Sequence, residues 1–282
     1  MPHRRHLRAT GTPGLRIDSP DEAGTHPDPS PGPVEIHESL GARAKRAVIK
    51  DLRHPAAFMF PLRLFIGIGW LRAFAEKVIS PDWFDREAVA LFLDAQLARD
   101  AVAFSPYEQL VESVLRPGSR WIGWVLMALQ LVVGLGIITG TYTNLALLIG
   151  SSMNANFILA GQLSPSAFYI VIQTVLFVTG AGAILGSDGN RARRPERVPS
   201  ILLVAHPDVR RTSKADRMAL AGLAGLAGGL TWFGFAHVTD FSPSGVGDPA
   251  LVFGTVMGLS ALSLIIFLLR IGALGKPSGP AT

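Results

Sequence analysis

From residue 58 onward the chain alternates long apolar runs with short polar ones. The apolar runs cover 58–79, 121–139, 143–162, 165–185, 215–238 and 249–269. Each is about 20 residues, which at about 1.5 Å of rise per residue matches the ~30 Å of hydrocarbon in a bilayer. The pattern predicts six membrane-spanning helices. Cap chemistry punctuates three of the starts: Ser164 before Pro165, Ser213 with Asp216 three residues on, and Asp248 before Pro249.

Two segments outside the spans also carry helical periodicity. Over 40–54, Leu40, Ala44, Ala47, Val48 and Leu52 fall on one stripe, and Arg43, Lys45, Arg46, Lys50 and Arg53 fill the rest. That is an amphipathic helix for a lipid surface, or equally a solvated basic linker. Within the long connection 80–120, Val89, Leu93 and Leu97 recur at i, i+4, i+8. Further on, Ser105, Pro106 and Glu108 read as N-cap, N1 proline and capping-box glutamate, with Tyr107, Leu110, Val111, Val114 and Leu115 as an apolar stripe behind them. Two short helices there, preceded by Trp83 and Phe84, form either a lid over the bundle or a hairpin that only anchors it.

Residues 1–39 hold seven prolines and almost no bulky apolar side chains, so burial cannot offset ordering entropy and the segment is expected to be a disordered tail. Its basic start lacks the apolar run of a secretory signal. The remaining boundaries follow: an interfacial helix over 40–55, a four-helix membrane domain over 56–188, a basic linker over 189–214, two further spans over 215–272 and a short tail over 273–282.

Composition agrees with a membrane protein: 49% of residues are hydrophobic and only 17% are charged. Cysteine is absent, which excludes thiolate nucleophiles, iron–sulfur clusters and disulfides. The net charge of +5 is read by location, not as a nucleic-acid signal. Basic residues concentrate before the first span, in 187–217 and after the last span, whereas 81–120 and 239–248 are net acidic. The positive-inside rule then places both termini in the cytoplasm and the 80–120 loop on the outer side of a plasma membrane.

Charge inside a span is costly, roughly 2.5–3.5 kcal/mol per residue at a helix centre on insertion scales. The first span nevertheless carries Arg63, Arg72, Glu76 and Lys77. Arg63 lies near the inner boundary, where snorkelling to water accounts for it. Arg72 and Glu76 are four apart, share a face and can pair, as a structural ion pair or a functional one. Lys77 points about 100° away from Glu76. Uncharged polar groups join them from the later spans: Gln130, Ser151, Asn154, Tyr169 and Gln173, a set suited either to helix–helix hydrogen bonding or to holding a polar head group. His237 is the one histidine in a span, too few for bis-histidine haem, and no acidic or histidine cluster indicates a metal. In the fifth span, Gly222, Gly225, Gly228 and Gly229 form a small-residue ridge suited to close packing within the chain or against a second copy.

The run RLFIGIGWLRAFAEK, the pair Trp83-Phe84, the segment LVVGLGIITGTYTNLALLIG and the ending GAGAILGSD together resemble the DoxX/DoxD family over residues 61–188. The resemblance implies a four-helix membrane protein acting as a subunit of a quinone-linked oxidoreductase of thiosulfate:quinone type. It puts Glu76 and Lys77 at the family's matching positions; with the residue reading above, the expected catalytic group is Arg72, Glu76 and Lys77, the expected quinone surroundings are Gln130, Asn154, Tyr169 and Gln173, and no haem is expected. The family's second helix commonly carries a glutamate where this chain has Gln130, and a basic residue where it has Asn144. The expected partners are membrane lipid and a protein partner or second copy. The competing expectation is a non-catalytic scaffold that anchors a redox or stress-defence enzyme. A transporter is disfavoured because no inverted repeat is evident.

Overall fold

The computed structural model describes residues 40–80, 83, 88–99, 101–192, 199–206, 212–239 and 248–274. The chain divides into a unit Met1–Leu40 and a unit Gly41–Thr282, and only the second is described below. The expected disordered tail at 1–39, Phe84, most of the 239–248 loop and most of the C-terminal tail lie outside the described residues.

The described residues contain helices and no strand. In order they are α1 (Leu40–Leu52), a 3-10 turn (Pro55–Met59), α2 (Phe60–Ile79), α3 (Ala88–Ala98) and α4 (Ser105–Leu110), which runs into a π turn (Val111–Leu115). Then follow α5 (Ser119–Thr139), α6 (Thr143–Leu159), α7 (Ser166–Thr179), a 3-10 turn (Ala181–Ala183), α8 (Ser187–Ala192), α9 (Lys214–Ala236) and α10 (Pro249–Leu274). Four of these stretches are long and apolar enough to cross a membrane: Pro55–Ile79, Ser119–Thr139, Lys214–Ala236 and Pro249–Ala273. The chain is therefore an all-helical protein with membrane-spanning helices.

The third and fourth apolar runs are shorter as helices than the sequence predicts, 17 and 14 residues for α6 and α7. At 1.5 Å per residue they reach only about 25 and 21 Å. The cause at the end of α7 is Gly180, which takes the left-handed conformation (φ 64°) and donates its N–H to the carbonyls of Leu176 and Phe177. A Cβ there would lie 2.6 Å from the His206 carbonyl oxygen, so the helix ends on the residue that fits. Residues 181–185 leave the helix and become a turn.

The helices run up and down, and the bundle has two distinct ends. At the cap end, α3 and α4 pack on the end of α6 through Leu93, Tyr107, Val111 and Ala160. Phe104 is the N-cap of α4, with Tyr107 and Glu108 donating to its carbonyl, and its ring packs against Phe233, His237 and Phe253 of the last two spans. Ser105 was expected as that cap; burial of the Phe104 ring moves the start by one residue. The π turn, closed by Arg116 N–H on the Val111 carbonyl, adds a residue to its turn and rotates Val114 outward, 54% exposed, off the predicted stripe.

At the opposite end, the turns 140–142, 181–188 and 199–206 fold under the helices. Close approach at glycines draws the spans together between the two ends. Gly67 of α2 faces Gly134 of α5, where each added Cβ would meet the other's carbonyl oxygen at 3.3 and 3.1 Å. Gly234 faces Gly254 where α9 crosses α10, and a Cβ on Gly234 would lie 2.8 Å from the Gly254 Cα. A Cβ added at Gly222, Gly225, Gly228 or Gly229 would meet no atom of the described residues within 4 Å, so this ridge is not what packs α9 against them. Helix α1 forms as expected, with Val48, Leu52, Lys45 and Lys50 all exposed.

Candidate functional site

A cavity of about 600 Å³ opens in the cap-end half of the bundle. Helix α2 supplies Gly69, Trp70, Arg72, Ala73, Glu76 and Lys77, and α5 supplies Leu126 and Gln130. Asn154 and Phe157 come from α6, and Ser166 and Tyr169 from α7. Val89 and Phe92 of α3, with Trp83, close it on the cap side. This volume suits a small-molecule ligand, and its walls are mostly apolar with a sparse polar set.

Arg72 and Glu76 are paired as their spacing predicts, Nε to Oε1 at 2.7 Å, on an exposed stretch of α2. Lys77 sits one position further round. Its Nζ donates to the Ala73 carbonyl at 3.2 Å and lies 4.9 Å from the centre of the Trp83 ring. No carboxylate among the described residues forms an ion pair with Lys77. The site thus offers one neutralised pair at its mouth and one ammonium held by a carbonyl and an aromatic face.

Tyr169 makes the wall between α2 and α7. Its ring stands edge-on to Phe65 and Trp70, with centroids 6.1 and 6.4 Å away. Its hydroxyl occupies the space a Cβ at Gly69 would take. Deeper in, Gln130 is 2% exposed and its Oε1 has no hydrogen-bond partner. Trp70 Nε1 is likewise buried and unpartnered. Both residues line the cavity, where a polar ligand atom or water can supply a partner.

Of the seven residues singled out from sequence, Arg72, Glu76, Lys77, Gln130, Asn154 and Tyr169 border this cavity and Gln173 does not. Gln173 is fully buried. Its Oε1 accepts from Ser151 Oγ at 2.9 Å and Asn154 Nδ2 at 3.3 Å, tying α6 to α7. It borders instead a smaller apolar groove of about 160 Å³ against α9 and α10, together with Thr174 and Ser260, whose hydroxyls are 3.0 Å apart. Gln173 ties the two helices through its acceptor, while its Nε2 is buried without a hydrogen-bond partner among the described residues. Trp70 is missed from sequence; it lies seven positions, or two turns, before Lys77, and that spacing was the available signal. Trp83, expected ahead of the lid, borders the cavity.

Arg63 is a correction. It does not reach water: it is 0% exposed, and its guanidinium donates to the carbonyls of Ala181, Ile184 and Leu185 at 2.8, 2.6 and 3.3 Å. The freed carbonyls of the broken end of α7 are its partners, and nothing in the local sequence of α2 announces them. Nearby, the fully buried Asp188 accepts the backbone N–H groups of Tyr142, Thr143 and Ala205. Asn144 donates to the Ile201 carbonyl at 2.6 Å. Asp216 completes its capping box with Ser213 and also accepts from Ser200 and Ile201. Together these buried polar groups plug the end of the bundle opposite the cap. His237, at the other end, is satisfied: Nδ1 lies 2.8 Å from the Phe233 carbonyl oxygen.

Groups outside the spans show the expected electrostatics. Burial pushes the Tyr107 phenol up to about 12. Burial also pulls the Asp248 carboxyl upward, but hydrogen bonds from the N–H groups of Thr239, Ala250 and Leu251 outweigh it and hold the group below its ordinary value. No cluster of three or more metal-ligating side chains occurs among the described residues.

No protein-family model matches the chain, and neither a curated protein nor a solved structure shows significant similarity to it.

The residues present fit a quinone. Lys77 Nζ and the Tyr169 hydroxyl are donors for carbonyl oxygens, the unpartnered Gln130 Oε1 is an acceptor for a hydroxyl, and the walls are apolar. A bound quinone would supply two-electron redox chemistry that these side chains lack.

Proposed function

We propose that this protein is a DoxX/DoxD-like membrane subunit of a quinone-linked oxidoreductase, of thiosulfate:quinone type, that binds its quinone in the 600 Å³ cavity. It crosses the plasma membrane six times with both termini in the cytoplasm, and the cap faces outward. Helices α6 and α7 complete the four-helix unit. The observation that carries this reading is the convergence of Arg72, Glu76, Lys77, Gln130, Asn154 and Tyr169, from four helices, on one largely apolar cavity.

In this reading Lys77 binds a quinone oxygen and Tyr169 orients the ring. Glu76, paired with Arg72 at 2.7 Å, carries the proton at the mouth of the cavity. The expected redox partner is a second protein, since the chain has no cysteine for a thiol or iron–sulfur centre of its own. The test is direct. Protein purified in mild detergent should retain extractable quinone, and Glu76→Gln should abolish thiosulfate-dependent quinone reduction by the assembled complex. Undiminished turnover in that variant rejects the proton role.

A scaffold role is favoured by one observation, the open ridge at Gly222, Gly225, Gly228 and Gly229 on α9. Under that reading a partner protein co-purifies with the chain, and substitutions at Gly225 release it while Glu76→Gln changes nothing.

A further inference from the structure

The cavity has a roof, a floor and one open side, and the open side lies at the depth of lipid chains. On the cap side Val89 and Phe92 cover it, with Trp83 packed toward Gly123 of α5. Toward the middle of the bundle, Trp70, Gln130 and Asn154, each at most 3% exposed, form the floor. Between α2 and the turn into α7 none of the described residues closes the cavity. There the Arg72 and Glu76 side chains are 79% and 57% exposed, and Gln162 and Pro165 border the cavity from the other side and are exposed too.

Arg72 is seven residues before the last residue of α2, which places it about 10 Å below the end of that helix. Directly below the opening stand Phe65, Ile68 and Phe168, with exposures of 56%, 57% and 74%. Three bulky apolar side chains with no protein cover belong against hydrocarbon. The exposed apolar lip places the lower edge of the opening against hydrocarbon, and the Arg72–Glu76 pair stands at its upper rim, within reach of the interface.

We infer that the cavity is loaded sideways from the membrane, through a portal between α2 and α7. Its ligand is a long-chain amphiphile whose head enters between Arg72 and Tyr169 and whose hydrocarbon chain stays outside on Phe65, Ile68 and Phe168. This rests on the quinone-binding reading of the same cavity and adds the route and the class of molecule that can use it.

The test uses the two tryptophans that border the cavity. Trp121, Trp124 and Trp232 are exposed at 77%, 50% and 78%, so the triple variant W121F/W124F/W232F leaves Trp70 and Trp83 as the emitters, once its thermal midpoint in detergent has been matched to wild type. The full chain is reconstituted in nanodiscs of phosphatidylcholine, or of phosphatidylcholine dibrominated near the carboxyl end of one acyl chain. Most of the remaining emission should be lost in the brominated discs, and acrylamide added to the water should quench almost none of it. Quenching by acrylamide alone, by both agents or by neither overturns the portal. Titration with a long-chain quinone reads occupancy separately: quenching by quinone without quenching by brominated lipid keeps the binding site and discards the portal, and the reverse pattern discards the quinone.

Discussion

The carboxylate of Asp188 accepts the backbone N–H of Thr143 at 2.8 Å across a sequence separation of 45 residues. The same carboxylate takes the N–H of Tyr142 at 2.8 Å and of Ala205 at 3.2 Å. It therefore caps the first turn of α6 from outside that helix and pins the 199–206 segment under the bundle. Charge-assisted caps of this kind contribute about 1–2 kcal/mol. Asp188→Asn is expected to lower the thermal midpoint in detergent by about 3–6 °C, and a midpoint equal to wild type removes the capping role.

Arg63 satisfies three carbonyls that the end of α7 leaves behind. Arg63→Met removes every one of these donors from a fully buried site, a loss of about 3 kcal/mol. Arg63→Lys keeps the charge but offers a point donor in place of the planar fork, and should recover part of the loss. Thermal melts of the two variants check the order wild type, Lys, Met. A side chain that merely snorkelled would give three equal midpoints.

Gly69 leaves the space that the Tyr169 hydroxyl fills. Gly69→Val should drive Tyr169 away from Trp70 and into the cavity, an overpacking cost of about 1–3 kcal/mol. Retained quinone should fall by about tenfold for each 1.4 kcal/mol taken from binding. Gly222→Val, on the open ridge, should leave quinone content unchanged, and equal loss in both variants would mean a general effect on folding.

Tyr107 holds its proton to about pH 12 because it is buried under the cap. An unfolded tyrosine ionises near pH ~10. Between those values the unfolded chain releases a proton that the folded chain keeps, so this residue's favourable contribution is complete below about pH 10 and declines as the pH rises toward 12. Phenolate absorbance, compared between wild type and Tyr107→Phe, should show the missing component centred near pH 12. A component centred near the ordinary value would place Tyr107 in water.

A Cβ added at Gly225 or Gly229 would meet no atom of the described residues within 4 Å. Alanine at both should leave the thermal midpoint of the single chain unchanged or raise it, since the glycines cost helix propensity of up to about 1 kcal/mol each. Sedimentation of the variant beside wild type then reads whether a second copy uses that ridge: association lost in the variant assigns the ridge to a dimer, and unchanged association assigns it to lipid.

Much of the architecture is written locally. Apolar run length gave the positions of α2, α5, α9 and α10, the spacing of Val89, Leu93 and Leu97 gave α3, and Ser213 with Asp216 marked the start of α9. The Arg72–Glu76 pair is equally local, because four residues of helix are enough to bring the two groups together. These features depend on the chain's own periodicity, which any reader of the sequence has in hand.

The remainder depends on contacts between distant segments. Arg63 looks like a boundary arginine until the end of α7 breaks at Gly180 and presents carbonyls to it; Gln173 and Asn154 share one helix contact through the Nδ2–Oε1 hydrogen bond, yet only Asn154 also borders the large cavity. Hydropathy along the chain fixes which segments avoid water, because each residue's transfer free energy is its own. Whether a polar side chain in such a segment faces a carbonyl, another amide or an open cavity is settled by how the helices cross, and that is decided by glycine pairs such as Gly67 and Gly134 that adjoin only in three dimensions.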